Sequence, residues 1–207
     1  MTRQEIMNGK KKVHDEDFEL IQAINNGRAD LFQKLVVKYE QKIYNFGMRM
    51  CGESRDAEDL VQETFLNIFR YLKGFRYETR FKNWMYRVAT TTCLKAKRKP
   101  KHAPERELSL EEFMPGEGEA LPDQAPDWAR RPLDQLLNEE LAANIKNAII
   151  DLPKKYRMVI VLRDQEGFST EETAQILDIS VANAKVRLHR ARLFLREKLK
   201  GYFDHDA

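Results

Sequence analysis

The stretch FSTEETAQILDISVANAKVRLHRARLFLREKLK, residues 168–200, predicts a short helix, a tight turn and a long basic helix. Ser169 stands where a helix N-cap is needed, and Glu172 follows three residues later, which is the spacing of a reciprocal capping box. Asp178 falls at the turn, where an aspartate can adopt the left-handed backbone conformation at modest cost. The stretch therefore predicts two helices joined by a sharp turn.

The second of these helices carries an apolar stripe and a basic outer face. The stripe recurs at steps of three and four residues, at Val181, Ala184, Leu188, Ala191 and Leu195. Seven Lys or Arg residues and one acid lie between Val181 and Lys200. A basic amphipathic helix on its own is a solvated surface helix about as often as it is a nucleic-acid-binding helix. Together with the capping box and the small Ala174 at the helix crossing, it favours a helix-turn-helix DNA reader.

Composition narrows the class of protein. The chain has 207 residues, 42% of them hydrophobic, and a net charge of only +3, so the case for nucleic acid depends on where the basic residues cluster. Cys51 and Cys93 lie far apart and the four histidines are scattered, which predicts no metal site and no cofactor. We expect no secretory signal and no membrane insertion, because the first residues and the apolar runs fit neither. The expected location is the cytoplasm.

Glycine-punctuated helical patterns predict an all-α fold of two small domains. Four helices are expected in the first domain, residues 15–99, at about 15–26, 30–50, 55–72 and 80–99. The second domain, residues 133–200, begins with an apolar stripe from Leu136 to Ile149. Its run Met158–Leu162 could be a strand by its β-branched content, but it stands alone among helices and is interpreted as a buried helix.

Residues 100–132 differ in composition from the rest of the chain and predict a flexible linker. Six of the seven prolines fall between Pro100 and Pro132, and residues 105–127 carry eight acids against one arginine. The acidic centre could shield the basic domains or mimic nucleic acid, or it could be a solubilising spacer.

An aromatic and basic segment lies in the first domain. Eight of the twenty aromatic residues fall between Phe65 and Tyr86, with basic residues interleaved. Bases of single-stranded DNA stack on aromatic faces, while Lys and Arg follow the phosphates. Most of these rings, including Phe65 and Phe69, are expected in the core. The single-strand interpretation is confined to Tyr77, Trp84 and Tyr86.

An acidic helix face precedes this segment. Asp56, Asp59 and Glu63 share one face at steps of three and four residues, and such carboxylates can bind a divalent metal for nucleotide hydrolysis. No partner acid cluster or histidine is evident on a second helix, so an acidic protein-docking face is the simpler interpretation. We therefore expect no enzyme.

Four runs resemble the sigma-70 family, specifically its small extracytoplasmic-function group. They are DAEDLVQETFLNIFRYLKGFR (56–76), FKNWMYRVATTTCLKAKRK (81–99), LPKKYRMVIVLRDQEGFSTEETAQIL (152–177) and VRLHRARLFLREKL (186–199). The resemblance extends from Phe18 to Leu199 without the linker. It implies an alternative sigma factor that binds bacterial core RNA polymerase and directs promoter recognition, promoter melting and transcription initiation.

The resemblance also implies roles for residues. The positions matching the polymerase-docking helix are Asp59, Gln62, Glu63 and Phe65. The positions matching the segment that melts and reads the −10 element are Tyr77, Trp84, Tyr86, Thr91 and Lys95. The base readers of the −35 element would be Lys185, Val186, His189 and Arg190, and the phosphate contacts Thr170, Arg187 and Arg192. The linker would thread toward the active-site channel, and an anti-sigma factor would hold the protein inactive.

Three positions depart from the family pattern. Thr91 stands where asparagine is usual, Asp178 stands where glycine is usual, and Val181-Ala-Asn-Ala184 replaces a Gly-Thr-Val start of the recognition helix. The promoter sequence is therefore not predictable from these residues. The alternative is a free-standing helix-turn-helix regulator, which needs a dimer to match a palindromic operator. No heptad run or further apolar face supplies a dimer interface, so we expect a monomer.

Overall fold

The computed structural model describes residues 15–96 and 139–203, and all regular structure in these two ranges is helical. Eight α-helices lie in them: α1 Phe18–Asn25, α2 Phe32–Cys51, α3 Ser54–Tyr71, α4 Phe81–Ala96, α5 Glu139–Asp151, α6 Lys154–Ile160, α7 Thr170–Leu177 and α8 Val181–Phe203. Two single 3₁₀ turns, Ala29–Leu31 and Leu72–Gly74, complete the first domain. The all-α prediction is confirmed. The predicted linker, residues 100–132, and the first part of the 133–149 stripe lie outside the described residues.

Glycines end the first two helices as expected. Gly27 follows α1 with φ +104° and Gly52 follows α2 with φ +85°, a region that glycine enters without steric penalty. At the start of α4 the backbone amide of Phe81 donates to the carboxylate of Asp15, which satisfies one of the amides that a helix start leaves without a partner.

The core of the first domain is aromatic. Tyr39 packs against Phe81 with ring centroids 5.6 Å apart, and Phe46 packs edge-on against Tyr86 at 5.5 Å. All four rings are at most 1% exposed. Helices α2 and α3 approach closely at Gly47, where an added methyl group would lie 2.9 Å from the Cα atom of Ala57. This crossing depends on glycine for space rather than for its backbone conformation.

The second domain is built around a buried run. Met158–Leu162 is helical and each of its residues is at most 2% exposed, so the prediction of a buried helix is confirmed. Helix α6 continues into a π-helical turn, Val161–Gln165, before the chain reverses at Gly167 with φ +75°. Wider turns of this kind occur often at functional sites.

The capping box is confirmed in both directions. The amide of Glu172 donates to Ser169 Oγ at 3.1 Å, and the amide of Ser169 donates to Glu172 Oε2 at 2.9 Å. Asp178 ends α7 in the left-handed conformation, with φ 57° and ψ 46°. Of the predicted α8 stripe, Ala184, Leu188, Ala191 and Leu195 are buried. Val181 is 38% exposed, so its predicted burial is wrong; it is the first residue of the helix and has no preceding turn to pack beside.

The two domains lie against each other, and their buried apolar residues form one continuous cluster. A buried guanidinium joins them. Arg157, on α6, donates from Nη1 to the carbonyl of Met50 at 2.5 Å, from Nη2 to the carbonyl of Leu152 at 2.9 Å, and from Nη2 to that of Ile150. These carbonyls belong to the last turns of α2 and α5 and to the residue after α5, so one side chain caps both helices.

Replacing Gly47 with alanine should destabilise the fold, because its methyl group would meet the α3 backbone. We expect a loss of about 1–3 kcal/mol in the free energy of unfolding, as for other overpacked sites. Gly74→Ala is the matched control, since no atom lies within 4 Å of its added methyl group. Urea denaturation followed by circular dichroism measures both. Equal stability of the two variants would contradict a tight α2–α3 crossing.

Candidate functional site

The helix-turn-helix presents a partly exposed basic face. Ser180 caps α8, accepting from the amide of Asn183 at 3.1 Å. Five of the predicted −35 residues on α8 lie outside its buried stripe and are partly exposed: Lys185, Val186, Arg187, His189 and Arg190. The Arg190 guanidinium also contacts the hydroxyl of Tyr156 at 3.5 Å, which restricts the conformations of the arginine side chain. The arrangement fits a helix that contacts a nucleic-acid groove.

The other two predicted phosphate contacts are buried, so the structure does not place them as expected. Arg192 is 8% exposed and pairs in a bidentate manner with Asp164, from Nε to Oδ2 at 3.0 Å and from Nη2 to Oδ1 at 2.7 Å. Thr170 is 7% exposed and its Oγ1 accepts from Arg163 Nε at 3.4 Å. These side chains fix α7 and α8 to the π-helical turn. No local sequence pattern could have predicted this pair, because Asp164 lies 28 residues away from Arg192.

Of the four positions on α3 that match the polymerase-docking helix, three are exposed and the phenylalanine is buried. Asp59, Gln62 and Glu63 are exposed and line a cavity of about 630 Å³ that α4 completes with Thr92 and Lys95. Phe65 is only 6% exposed and packs edge-on against Phe32, so the structure places it in the core rather than on the predicted docking face.

Two large apolar side chains on α3 are exposed. Phe69 is 52% exposed and Leu66 is 45% exposed, whereas Phe69 was expected in the core. Phe69 lies one turn after Phe65, and its ring packs edge-on against Phe32 with the ring centroids 5.0 Å apart. An exposed apolar pair beside acids is typical of a protein-contact surface.

The loop before α4 forms a second cavity, of about 450 Å³. Tyr77 has φ 58°, which is uncommon for a large side chain, and its ring packs between Phe18 and Phe75 at 4.8 Å from each. Trp84 is partly exposed on the cavity wall and packs at a tilt against Phe75, with the ring centroids 5.3 Å apart. Polar groups of Asn83 and Arg87 line the same cavity. A flat ring beside hydrogen-bond donors suits an unstacked base.

The remaining predicted −10 residues lie apart from this cavity. Tyr86 is fully buried, with its hydroxyl donating to Glu166 Oε2 at 2.6 Å, so its ring is not available for stacking in this arrangement. Burial, reinforced by the Glu166 carboxylate, raises the pKa of Tyr86 and keeps the hydroxyl protonated. Thr91 is exposed and its Oγ1 donates to the carbonyl of Arg87 at 2.8 Å. Lys95 faces the α3 cavity instead.

The metal interpretation of the α3 carboxylates gains no support. Within residues 15–96 and 139–203, no group of three or more His, Cys, Asp or Glu side chains is placed to hold a metal ion. Among the described helices none has the length and apolar character needed to cross a bilayer.

Both halves of the chain match known family models. Residues 35–102 match the model for Sigma-70 region 2, and residues 142–195 match the model for Sigma-70, region 4. The first match contains α3 and the loop and helix of the second cavity, while the second contains the helix-turn-helix.

Curated relatives align along nearly their whole length. The ECF RNA polymerase sigma factor SigW of Bacillus subtilis is 35% identical over 180 residues, which cover 87% of this chain and 95% of SigW. The ECF RNA polymerase sigma-E factor of Escherichia coli is 32% identical over 188 residues, with 89% and 94% covered. The RNA polymerase sigma-H factor of Pseudomonas aeruginosa is 30% identical over 184 residues, with 86% and 91% covered.

Two solved structures share the fold. CnrH, solved in complex with the cytosolic domain of CnrY, has a TM-score of 0.59 at 22% identity and covers 92% of this chain and 99% of CnrH. The sigma factor RpoE of Bartonella quintana, solved with the anti-sigma factor NepR, has a TM-score of 0.59 at 24% identity, with 82% and 96% covered. Two region models in the right order and relatives of 30–35% identity confirm the resemblance, and the chain belongs to the ECF sigma factors of the sigma-70 family.

Proposed function

We propose that this chain is a non-enzymatic specificity subunit that binds bacterial core RNA polymerase and directs promoter recognition, melting and transcription initiation. The proposal rests on one observation, the order in which three candidate binding surfaces follow one another along the chain. An exposed acidic face on α3 and an aromatic cavity beside α4 precede a capped helix-turn-helix, each within the segment that matches its sigma region. No cofactor takes part in this function.

The two domains and the segment between them have different roles in this function. Residues 15–99 dock on polymerase and melt and read the −10 element, residues 133–200 read the −35 element, and residues 100–132 connect them. On α3 the docking residues are Asp59, Gln62 and Glu63, with Phe65 holding the helix in place from within. The exposed Phe69 and Leu66 extend this face with apolar area.

At the −10 element, the cavity that Trp84 lines receives an unstacked base, and Tyr77 supports its wall by packing on Phe75. Thr91 and Lys95 contact the strand farther along α4. Tyr86 can join them only when the second domain moves away from its ring. At the −35 element, Lys185, Val186, His189 and Arg190 read bases, and Arg187 contacts phosphate. Arg192 and Thr170 support the helix pair, because both are buried.

Further partners follow from the same proposal. An anti-sigma factor holds the chain inactive; RpoE of Bartonella quintana was solved with one, NepR. The chain is a monomer when free, and it acts in the cytoplasm because core polymerase and promoter DNA are there. The alternative, a free-standing helix-turn-helix regulator, requires a dimer on a palindromic site, so mass in solution separates the two.

The direct test is transcription by purified bacterial core polymerase with and without this protein, on a pooled genomic template with mapped start sites. New starts that share spaced −35 and −10 elements are expected, and they would give the promoter sequence that Thr91 and Lys185 leave open. Absence of new starts together with no binding to core polymerase would overturn the proposal and favour the free-standing regulator.

Substitution of the two long basic readers should weaken −35 recognition. Lys185→Ala and Arg190→Ala should each cost roughly 1–3 kcal/mol on the mapped promoter, because each removes contacts to base edges. Arg196→Ala is the matched control, since Arg196 is an exposed arginine farther along α8. Competition binding of holoenzyme to matched and mutated −35 sequences measures the effect. Equal losses on all sequences would make these residues phosphate contacts.

Loss of the α3 carboxylates should weaken polymerase binding without unfolding the protein. Asp59→Ala and Glu63→Ala remove exposed charges, so the melting temperature should stay unchanged while the affinity for core polymerase falls. Glu58→Ala is the control on the same helix, because Glu58 is exposed but does not line the α3 cavity. Unchanged affinity in both docking variants, measured by fluorescence anisotropy, would remove this face from the interface.

A further inference from the structure

The first described residues of the chain contact the loop of the aromatic cavity at three places. These residues, 15–25, form a turn and helix α1, and we call them the N-terminal brace. The brace lies before residues 35–102, the part of the chain that matches the region 2 model. The loop runs from Leu72 to Phe81, where α4 begins. Its residues in the cavity wall are Gly74, Phe75, Arg76, Glu78 and Thr79.

Asp15 holds the end of this loop. Its Oδ2 accepts from the backbone amide of Phe81, and its Oδ1 accepts from the amide of Asp17 at 2.8 Å. Asp17 in turn accepts from Lys38 Nζ at 2.6 Å and from the Tyr39 hydroxyl at 2.5 Å, both on α2. Both aspartates are buried. The end of the loop is therefore tied through two buried carboxylates to α2.

Helix α1 holds the middle and the start of the loop. The ring of Phe18 packs against that of Tyr77 with the centroids 4.8 Å apart, and Asn25 Nδ2 donates to the carbonyl of Leu72 at 3.5 Å. Tyr77 has φ 58°, and a left-handed backbone at a large residue persists only where its surroundings impose it. The contact with Phe18 is one of those that keep Tyr77 in this conformation.

The brace reaches the cavity through a chain of aromatic rings. Tyr77 packs against Phe75 with the centroids 4.8 Å apart, and Phe75 packs against Trp84 at 5.3 Å. The ring of Phe81, whose amide Asp15 holds, lies 5.9 Å from the rings of both Phe75 and Trp84. The indole on the cavity wall is thus positioned by rings that the brace itself contacts.

We infer that the N-terminal brace sets the geometry of the −10 cavity, with Asp15 and Phe18 as positioning residues for the base that Trp84 receives. This inference rests on the proposed function and adds residues that decide how selectively the −10 element is read. Asp15 and Phe18 are not among the lining residues of this cavity, so they act through the loop rather than on DNA. They do not line the α3 cavity either, so polymerase docking should not depend on them.

The test variants are Asp15→Asn and Phe18→Ala, each made in the full-length chain. Asparagine has the size of aspartate, but one of the two acceptor oxygens becomes an NH₂ group. One of the amides of Phe81 and Asp17 therefore loses its acceptor, which makes the braced loop conformation less favourable. Glu19→Gln is the matched control, because Glu19 is an exposed carboxylate on the same brace.

The first measurement needs no DNA. Acrylamide quenching of Trp84 fluorescence is recorded in a Trp128→Phe background, which leaves one tryptophan in the chain. We expect quenching to increase in both test variants, because a loosened loop uncovers the indole, and to stay at the wild-type value in Glu19→Gln. Circular dichroism checks that each protein is folded. Phe18→Ala carries the test if Asp15→Asn does not fold.

The second measurement uses holoenzyme assembled with core polymerase. It compares binding of a labelled −10 single strand from the mapped promoter with binding of the same strand carrying substituted bases. We expect both test variants to bind the matched strand about tenfold more weakly, as when the competent conformation becomes a minor one. The substituted strands should lose little, because their bases do not use the cavity. Affinity for core polymerase should stay unchanged.

Three results would overturn the inference. Wild-type quenching in both test variants would mean that the brace does not position Trp84. Wild-type selectivity despite increased quenching would mean that the loop does not decide −10 recognition. Equal losses in core binding and −10 binding would make Asp15 and Phe18 purely structural. Failure of the wild-type holoenzyme to start transcription would instead overturn the proposed function, while increased quenching would still support the brace.

Discussion

The buried guanidinium of Arg157 is the interaction on which the joined arrangement of the two domains depends. It satisfies backbone carbonyls of Met50, Ile150 and Leu152, which belong to both domains. Buried carbonyls that lose a partner cost the full desolvation free energy, so this one side chain has a large effect on stability. Burial lowers the pKa of Arg157, yet an arginine stays protonated at any physiological pH. The positive charge also suits the negative ends of α2 and α5.

The contacts beside α4 are of a different kind from the buried contact of Arg157. Within each domain, contacts are apolar and closely packed, as at Gly47 and along Met158–Leu162. Between the domains, the contacts beside α4 are mostly carboxylates on donors, with Phe168 as the apolar exception. Polar contacts can be replaced by water or by another anion without leaving a cavity. Beneath these polar contacts the buried apolar residues of the two domains form one continuous cluster, which resists domain motion.

The sequence predicts local structure well because local structure has local causes. Glycines mark the ends of α1 and α2, Ser169 and Glu172 mark the start of α7, and Asp178 marks its end; each signal acts within a few residues. The site is predicted less completely, because burial of a side chain depends on distant parts of the chain. Tyr86 has an aromatic ring that spacing allows on the surface, but Phe168 packs against this ring and Glu166, 80 residues away, accepts from its hydroxyl. From the sequence Arg192 is predicted to contact phosphate, whereas in the structure it pairs with Asp164.

These pairings across the chain also fix the recognition helix within the second domain. Asp164 holds Arg192, and Arg163 holds Thr170, so α7, α8 and the π-helical turn are tied together within the second domain. The recognition helix therefore keeps its orientation relative to α7 when contacts to α4 are lost. The face of α8 that carries Lys185 is therefore held by contacts inside the second domain. A readout of the −35 element that is preorganised in this way loses little conformational entropy on binding.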